Sequence, residues 1–530
     1  MLLSHLSAKR SVLLIPLLIS LSQLALAINP TLADPNLQVT TVITGLSQPT
    51  GIAFLGPNDF FVIEKASGRV KRVVNGAVTA VVLDLPVNSN SERGLLGIAI
   101  HPNFPANSSV YLYWTESSTG ADSTVVTEVG NASSAFVPGT PQPLGNRVDR
   151  FVWDASAQTL TYAQNIIRLH AFQHDNNNPA NPDPLAGYAG NHNCGKVAFG
   201  RDGKLYFMIG DNGRRGWLQN LVNGPFLPPA ADDEFGGPAP DNNHVTGSIF
   251  RLNDDGTTPS DNPFFAAGAI IGGEVGSNIQ KIYSYGHRNG FGFTFDPLSS
   301  NLWNSENGDD SFDEINRIVP GGNYGWVQTA GPMSRILQFK TIEMNLFAAP
   351  LILGTLQQIR YPTTRIAYSP ELAMSRLYML PGATYMDPEM TWRYAVSPAG
   401  LGFVNGDGLG SAYNGTLWSG GATPSNIVGA SSGTFAGGYL MVFRLTPDRL
   451  HLDLSADPRL ADHVADNGIF PPPIGTAAGT AGYKYTGQES ESLLIGQNFG
   501  VTTDIRSGPD EGLYVVSNTD NAVYRISRAQ

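Results

Sequence analysis

Residues 284–326 read SYGHRNGFGFTFDPLSSNLWNSENGDDSFDEINRIVPGGNYGW. Phenylalanines alternate with smaller residues from Phe291 to Phe295, and a period of two is typical of a half-buried strand. The Asp-Pro pair at 296–297 is a turn signal, and a second apolar run starts at Leu302. This stretch therefore predicts two antiparallel strands that are joined by a short turn.

An acidic loop follows the second of these strands. Its carboxylates crowd into a short segment, at Glu306, Asp309, Asp310, Asp313 and Glu314. Loops this rich in oxygen suit a hard cation such as calcium, whereas most charge runs are simply solvated surface. Spacing alone leaves two interpretations open, a metal- or cofactor-bearing loop beside an arginine and an exposed acidic turn.

The strand–turn–strand pattern of this stretch recurs along the chain. Six imperfect copies begin at Pro49, Arg93, Cys194, Asn289, Ala399 and Thr502. Such units cannot bury both faces alone, and radial stacking buries them with few exposed edges. The repeats predict an all-β fold, a six-bladed β-propeller with long inter-strand loops, formed as a single domain by residues 28–530. An array of β-sandwiches is the alternative.

Composition and the N-terminal segment bear on location and partners. The net charge is −12 and no stretch is basic, which excludes nucleic acid as an expected partner. Lys9 and Arg10 precede an apolar run at 12–26, and residues 25–27 form an A-x-A cleavage pattern that ends at Ala27. This pattern predicts a signal peptide at 1–27 and a periplasmic or secreted protein without stable membrane insertion. An uncleaved anchor helix is the alternative.

The third copy contains two side chains with chemical potential. Cys194 is the only cysteine, so no intramolecular disulfide can form, and we expect a small buried residue rather than a nucleophile. His192 lies just before it, in GNHNCGKVAF. An imidazole titrates near neutral pH and suits a general base at the mouth of a propeller. A structural histidine in a loop is the alternative.

Four motifs carry a resemblance to a known family. In order, GHRNxxG, SExG, DEIN and GGNYGW resemble the signature of the soluble pyrroloquinoline-quinone (PQQ)-dependent sugar dehydrogenases, the glucose/sorbosone dehydrogenase family. The resemblance covers most of residues 46–527, with its specific motifs between Glu92 and Trp326. It implies an enzyme that binds PQQ and Ca²⁺, oxidises an aldose-type sugar at C1 to the lactone, and passes electrons to an external acceptor.

The resemblance also implies roles for residues at the mouth. His192 matches the base that removes the proton of the anomeric hydroxyl. Arg288 matches the arginine that stabilises charge on the quinone carbonyl during hydride transfer. Asn289 follows it in the same motif, and we assign Asn289 and Lys196 to cofactor binding as well.

Two neighbours of the substrate depart from the pattern of the glucose-oxidising members. Asn191 stands where those members have an aspartate before the base, and an amide orients an imidazole without adding charge, which favours a weaker base. Glu92 replaces a glutamine near the substrate. The departure at Glu92 predicts a different sugar or an altered site.

Metal positions are implied by the same resemblance. Gly308 and Asp309 match the residues whose backbone carbonyls bind the calcium that touches the cofactor. Asp313, Glu314 and Tyr324 match part of the site of a second, structural calcium. A proline is common at the position of Asp309, but a carbonyl ligand does not require one.

The resemblance weakens in the last third of the chain. A cofactor with three carboxylates needs several cations, yet Val501 and Thr503 stand where arginines are expected, and Arg506 is the nearby alternative. The dehydrogenase interpretation therefore competes with two others. One is a non-enzymatic sugar- or protein-binding propeller that has lost the quinone. The other is a calcium-dependent propeller lactonase.

Overall fold

A computed structural model describes most of the chain. It covers residues 29–130, 144–171, 190–212, 246–308, 311–326, 328–343, 367, 369–421, 437–467 and 487–529. Across these ranges the protein consists mainly of β-strands with four short α-helices. None of the helices in these ranges is long and apolar enough to cross a membrane. The signal peptide predicted at 1–27 lies outside the described residues and stays a prediction.

The strands are numbered in chain order. The first half comprises β1 (Thr31–Leu32), β2 (Leu37–Ile43), β3 (Pro49–Gly56), β4 (Asp59–Glu64), β5 (Arg69–Val74), β6 (Ala77–Asp84), β7 (Leu95–Ile100), β8 (Ser109–Thr115), β9 (Leu144–Asp154), β10 (Thr159–His170), β11 (Val197–Phe199), β12 (Leu205–Ile209), β13 (Ser248–Leu252) and β14 (Ile282–Tyr285). The second half comprises β15 (Gly290–Phe295), β16 (Leu302–Glu306), β17 (Asp313–Ile318), β18 (Gly322–Asn323), β19 (Thr384–Tyr385), β20 (Met390–Trp392), β21 (Pro398–Phe403), β22 (Leu417–Gly421), β23 (Tyr439–Leu445), β24 (Leu452–Asp453), β25 (Val464–Ala465), β26 (Leu494–Gln497), β27 (Thr502–Ser507), β28 (Leu513–Ser517) and β29 (Ala522–Arg528). The helices are α1 (Phe265–Ile271), α2 (Gly273–Ile279), α3 (Ile336–Glu343) and α4 (Pro370–Arg376).

These strands form separate sheets arranged around one axis. The strand orders are β3-β4-β5-β6, β10-β9-β8-β7, β11-β12-β13-β14-β18-β19, β15-β16-β17-β20-β25, β1-β26-β23-β22-β21 with β24 beside β23, and β2-β29-β28-β27. The innermost strands β3, β7, β11, β15, β21 and β27 contact one another in a closed ring. Each predicted copy begins at or beside one of these strands, so the all-β propeller predicted from the repeats is confirmed.

Glycines on the innermost strands allow neighbouring sheets to approach closely. A Cβ atom added at Gly97 in β7 would lie 2.1 Å from the carbonyl oxygen of Gly195. A Cβ at Gly402 in β21 would lie 2.1 Å from the carbonyl oxygen of Ile505. Only glycine can occupy such positions without moving the backbone, which explains why the predicted copies so often carry one.

The ring closes by joining the two ends of the described chain. β2 pairs antiparallel with β29, and Leu37 lies opposite Arg528 while Ile43 lies opposite Val523. An N-terminal strand thus completes a sheet whose other strands, β27 to β29, come from the C-terminal end. This pairing leaves no open edge between the first and the last repeat.

Two of the helices, α3 and α4, lie in the long connection between β18 and β19. Ser369 is the N-cap of α4. The Ser369 side chain accepts a hydrogen bond from the backbone N–H of Leu372, and Pro370 follows it. Serine as a cap and proline in the first turn are typical of helix starts.

Large apolar side chains fill the space between sheets, and we expect their loss to be costly. Phe61 in β4 is fully buried and meets Trp153 of the neighbouring sheet edge-to-face, with ring centroids 5.0 Å apart. Phe61→Ala should lower the free energy of unfolding by about 3–5 kcal/mol, because a cavity remains. Val81→Ala, at an exposed position in β6, should change it by less than about 0.5 kcal/mol. Denaturant unfolding of both variants measures the difference, and equal effects would contradict this packing.

Candidate active site

Loops that precede three innermost strands meet at one mouth of the propeller. Glu92 precedes β7, His192 precedes β11, and Asn289 precedes β15. One carboxylate oxygen of Glu92 accepts hydrogen bonds from the backbone N–H of His192 at 2.6 Å and from the Asn289 amide at 3.2 Å. The structure therefore brings together three of the predicted site segments, although they lie far apart in sequence.

His192 has a carboxylate partner. Its Nδ1 is hydrogen-bonded to Oδ1 of Asp211, a residue that lies two positions after the end of β12 and is almost wholly buried. The other oxygen of Asp211 accepts a hydrogen bond from the indole N–H of Trp326 at 2.9 Å. Asn191 adds no charge, as expected, but the imidazole gains a carboxylate from Asp211 instead. This pairing orients the ring and leaves Nε2 as the nitrogen that can exchange a proton.

Arg288 also contacts Trp326, and its backbone carbonyl accepts a hydrogen bond from the N–H of Asp211 at 2.9 Å. Its guanidinium carbon is 5.6 Å from the centre of the indole ring, within cation–π range. Nη1 donates hydrogen bonds of 2.7 Å to the carbonyl oxygens of both Asn307 and Gly308. The side chain is buried and held on two sides, so a fixed positive charge lies close to the His192–Asp211 pair.

Glu306 and His287 hold the backbone of this arginine. The carboxylate of Glu306 accepts hydrogen bonds from the backbone N–H of Arg288 and from Nδ1 of His287, the latter at 2.9 Å. Nε2 of His287 is 3.0 Å from the hydroxyl of Ser284. The ring of His287 stacks on Tyr324 with centroids 4.7 Å apart. The GHRN segment is thus fixed through buried polar contacts.

The acidic loop is not a solvated turn at the positions that the structure describes. Asp313 and Glu314 are buried in β17. Asp313 accepts backbone hydrogen bonds from Gly308, Val396 and Ser397, and burial nevertheless raises its pKa to about 6. Burial and then the charge of Glu306 raise the pKa of Glu314 to about 8. Asp309 and Asp310 lie outside the described residues.

The three residues matched to a structural calcium do not direct their side chains to one point. Asp313 binds backbone N–H groups, and Glu314 accepts hydrogen bonds from Asn316 and from the N–H of Gly331. The hydroxyl of Tyr324 donates to the carbonyl oxygen of Arg317 at 2.6 Å. Within the described part of the chain, no three His, Cys, Asp or Glu side chains converge as metal ligands. Their calcium role stays a prediction.

A small cavity is nevertheless bordered by oxygen atoms of this loop. Its lining includes Glu306, Glu314 and Gly308, with Arg288 and Trp326 at one side. Two buried carboxylates here repel one another, and that repulsion contributes to the raised pKa of Glu314. A cation in this cavity would offset the repulsion.

Two further residues considered from the sequence, Cys194 and Lys196, are both buried and both contact the backbone. Cys194 is buried as expected, and its sulfur accepts a hydrogen bond from the N–H of Gly290. Lys196 is buried too, and its ammonium group donates to the carbonyl oxygens of Thr50 at 3.0 Å and Thr503 at 2.6 Å. Burial lowers the pKa of Lys196 to about 8.

Comparison with known proteins finds similarity to one family of enzymes over the part of the chain that holds this site. A family model described as glucose/sorbosone dehydrogenase matches residues 46–137 and 180–334, which include Glu92, His192, Arg288 and Trp326. A quinoprotein glucose dehydrogenase B of Acinetobacter calcoaceticus is 30% identical over 343 residues, which are 62% of this chain and 61% of that protein. Over these residues the chain is similar to the glucose/sorbosone dehydrogenase family.

One further sequence relative and one solved structure are similar to this chain. An aldose sugar dehydrogenase of Escherichia coli is 26% identical over 296 residues, which are 56% of this chain and 62% of that protein. The chain therefore spans about three fifths of the length of these two curated relatives. The apo structure of a soluble aldose sugar dehydrogenase from E. coli has a TM-score of 0.55 at 18% identity, covering 93% of this chain and 100% of that one.

Sequence reasoning within the glucose/sorbosone dehydrogenase family pattern missed Asp211. Asp211 is the second residue of the run GDNGRRG, whose arginines, Arg214 and Arg215, are the more conspicuous candidates but lie outside the described residues. The useful signal was strand pairing. β11 and β12 run antiparallel, so the residue that follows β12 lies beside the residues that precede β11. An aspartate two residues after β12 is therefore a candidate partner for a histidine before β11.

Proposed function

We propose that this protein is an exported PQQ-dependent dehydrogenase that oxidises an aldose-type sugar at C1 to the lactone. The observation that carries the proposal is the chain of contacts from His192 through Asp211 and Trp326 to Arg288. Asp211, which holds the base, accepts from the indole N–H of Trp326, and the Arg288 guanidinium lies over the same ring, so the base and a fixed positive charge are linked through one side chain. Removal of a proton and a hydride from one carbon–oxygen unit needs this pair of groups.

His192 would act as the general base. Nε2 accepts the proton of the anomeric hydroxyl, while Asp211 on Nδ1 stabilises the imidazolium that forms. Glu92 fixes the backbone of this histidine and lies where a sugar hydroxyl can reach its carboxylate. Asn191 is half-buried beside the base, and its amide is the second candidate for a substrate contact.

The cofactor would be held beside Arg288 and Asn289. When bound, PQQ accepts the hydride from C1 of the sugar. The chain contributes a guanidinium that is already ordered on Trp326 and two backbone carbonyls, so little reorganisation is needed as charge develops. Asn289 is anchored to Glu92, which links the cofactor side of the mouth to the substrate side.

The residues present also suit Ca²⁺, which forms part of the proposal. Glu306, Glu314 and the backbone at Gly308 border a small cavity, and hard oxygen donors are what calcium prefers. The carbonyl of Gly308 accepts from Arg288 and keeps a second lone pair for a cation. Asp309 would add a carbonyl, and Asp313 would hold the loop through the N–H of Gly308.

Calcium should therefore stabilise the folded protein. At a free concentration one hundred times its Kd, the gain in unfolding free energy should be about 2.7 kcal/mol. Glu314→Gln removes a carboxylate that could bind calcium and should abolish most of this gain, whereas Glu491→Gln on the surface should retain it. Thermal melts with calcium and with a chelator measure the shift. An unchanged melt in the parent protein would exclude calcium binding.

The finer features of this proposal rest on separate support. Six sheets and a closed ring of inner strands support a count of six blades. The A-x-A pattern at 25–27 supports export. A non-enzymatic binding propeller is the second candidate. It is favoured because Val501 and Thr503 are uncharged, whereas a cofactor with three carboxylates needs cations at these positions.

A titration of the apoprotein with PQQ in calcium tests the function. Saturable change in the cofactor absorbance, followed by dye reduction with a panel of aldoses, would support a dehydrogenase. Glu92 and Asn191 would then be the positions to vary for sugar preference. Binding of a sugar without any dye reduction would instead support the non-enzymatic candidate.

A further inference from the structure

We propose that Lys65 and Lys196 form an anion site in the axial cavity and that this site binds a carboxylate of the cofactor. The inference rests on the proposed function, which it deepens. The two lysines belong to the first and third sheets of the ring, which would therefore recognise the negative charge of the cofactor. The last sheet would contribute only the backbone carbonyl of Thr503, which holds Lys196.

The cavity lies on the axis beside the candidate active site. It has a volume of about 170 Å³ and is lined by Lys65, Lys196, Glu92, Val501 and Thr503 among others. Glu92 connects it directly to the backbone of His192 and to the Asn289 side chain. A group bound in this cavity would thus lie next to the predicted cofactor contacts.

Both lysines have hydrogen-bond capacity to spare. The ammonium group of Lys196 donates to the carbonyl oxygens of Thr50 and Thr503, and that of Lys65 donates to those of Ser89 and Ser91. An ammonium carries three N–H donors, so each lysine keeps one beyond these contacts. Among the described residues, neither lysine has a carboxylate within ion-pair distance.

The charge around the cavity is unbalanced. Charges withdrawn from water are normally paired, yet two lysines line this cavity with the single carboxylate of Glu92, which already accepts two other hydrogen bonds. Burial lowers the pKa of both lysines, while the charges of Glu92 on Lys65 and Asp504 on Lys196 oppose the shift and that of Arg506 adds to it. A bound anion would supply the missing negative charge.

The position of Lys196 explains why the last sheet can lack a cation. Its ammonium group reaches across the axis to the carbonyl of Thr503 in β27. The positive charge of Lys196 therefore lies against β27, the strand where an arginine is expected, although Lys196 itself directly precedes β11. Val501 then contributes an apolar wall for the body of a flat ligand.

Two probes and three variants test this site in the full chain. PQQ with calcium is followed by absorbance, and pyridine-2,4-dicarboxylate, which carries the acidic groups without a quinone, is followed by calorimetry. Lys65→Met and Lys196→Met should each weaken binding of both probes at least tenfold. Lys281→Met is the control, because this lysine is also partly buried with a lowered pKa but bonds Asn278 elsewhere in the fold.

The outcomes separate this inference from the proposed function. Unchanged affinity for PQQ in both lysine variants, with sugar oxidation intact, overturns the anion site alone. Lysine-dependent binding of the dicarboxylate without sugar-dependent dye reduction supports the anion site and overturns the dehydrogenase. Binding of neither probe by the parent protein overturns both. If Lys196→Met does not fold, as judged from its melt, the half-buried Lys65→Met variant decides the question.

Discussion

Replacing His192 with alanine is expected to lower kcat for sugar oxidation by about 10²- to 10⁴-fold, the usual contribution of a general base. The physical reason is that Asp211 already holds Nδ1, so only Nε2 can take the proton of the sugar hydroxyl. Steady-state dye reduction in saturating PQQ and calcium measures the effect. The affinity for PQQ should change little, because His192 is proposed to touch the substrate.

A matched control separates loss of the base from loss of the fold. His451→Ala alters a histidine whose side chain is 56% exposed and which contacts Glu389. It should retain full activity, and both variants should melt close to the parent protein. If His192→Ala oxidised sugar at the parent rate, His192 would not be the base and the proposed mechanism would be wrong.

Replacing Arg288 with lysine should lower kcat by about 10²- to 10³-fold, as for other donors that stabilise developing charge. Lysine keeps the positive charge, but it lacks the planar group that stacks on Trp326 while one nitrogen donates to two carbonyls. The substitution therefore tests geometry rather than charge. Single-turnover reduction of bound cofactor by sugar separates this step from reoxidation by the dye.

Arg459→Lys is the corresponding control, because this arginine is 49% exposed and pairs with Asp457 on the surface. It should leave the rate unchanged. A parent-like rate in Arg288→Lys would show that charge alone is sufficient at this position. The stacking on Trp326 would then have a structural role only.

The sequence was most informative where one pattern repeats. The strand–turn–strand copies predicted the propeller because a period of two and a turn recur at each inner strand, and these local signals need no knowledge of long-range contacts. Motif order likewise singled out His192, Arg288 and Asn289. Glu92 was predicted as a substrate contact, and the structure places its carboxylate between two of these segments.

What could not be predicted depends on pairing between distant segments. The hydrogen bond between His192 and Asp211 depends on the register in which β11 pairs with β12. The sequence alone does not show how the segments next to these strands run, so this contact could not be predicted. The acidic loop allowed both an exposed and a buried interpretation, because burial at Asp313 is decided by Val396 and Ser397 in another part of the chain. Lys65 belongs to none of the sequence motifs, and its proposed role follows only from its position in the lining of the axial cavity.

The pairing of β2 with β29 has a consequence for how the protein is made. A ribosome delivers β2 early and β29 last, so the sheet that seals the ring cannot form until almost the whole chain has emerged. Until then the inner strand β3 lacks its neighbour β27. A nascent propeller of this kind should stay open during synthesis and close in one late step. Loss of β2 or of β29 should leave a split ring, and a circularly permuted chain cut between two other sheets should close without that delay.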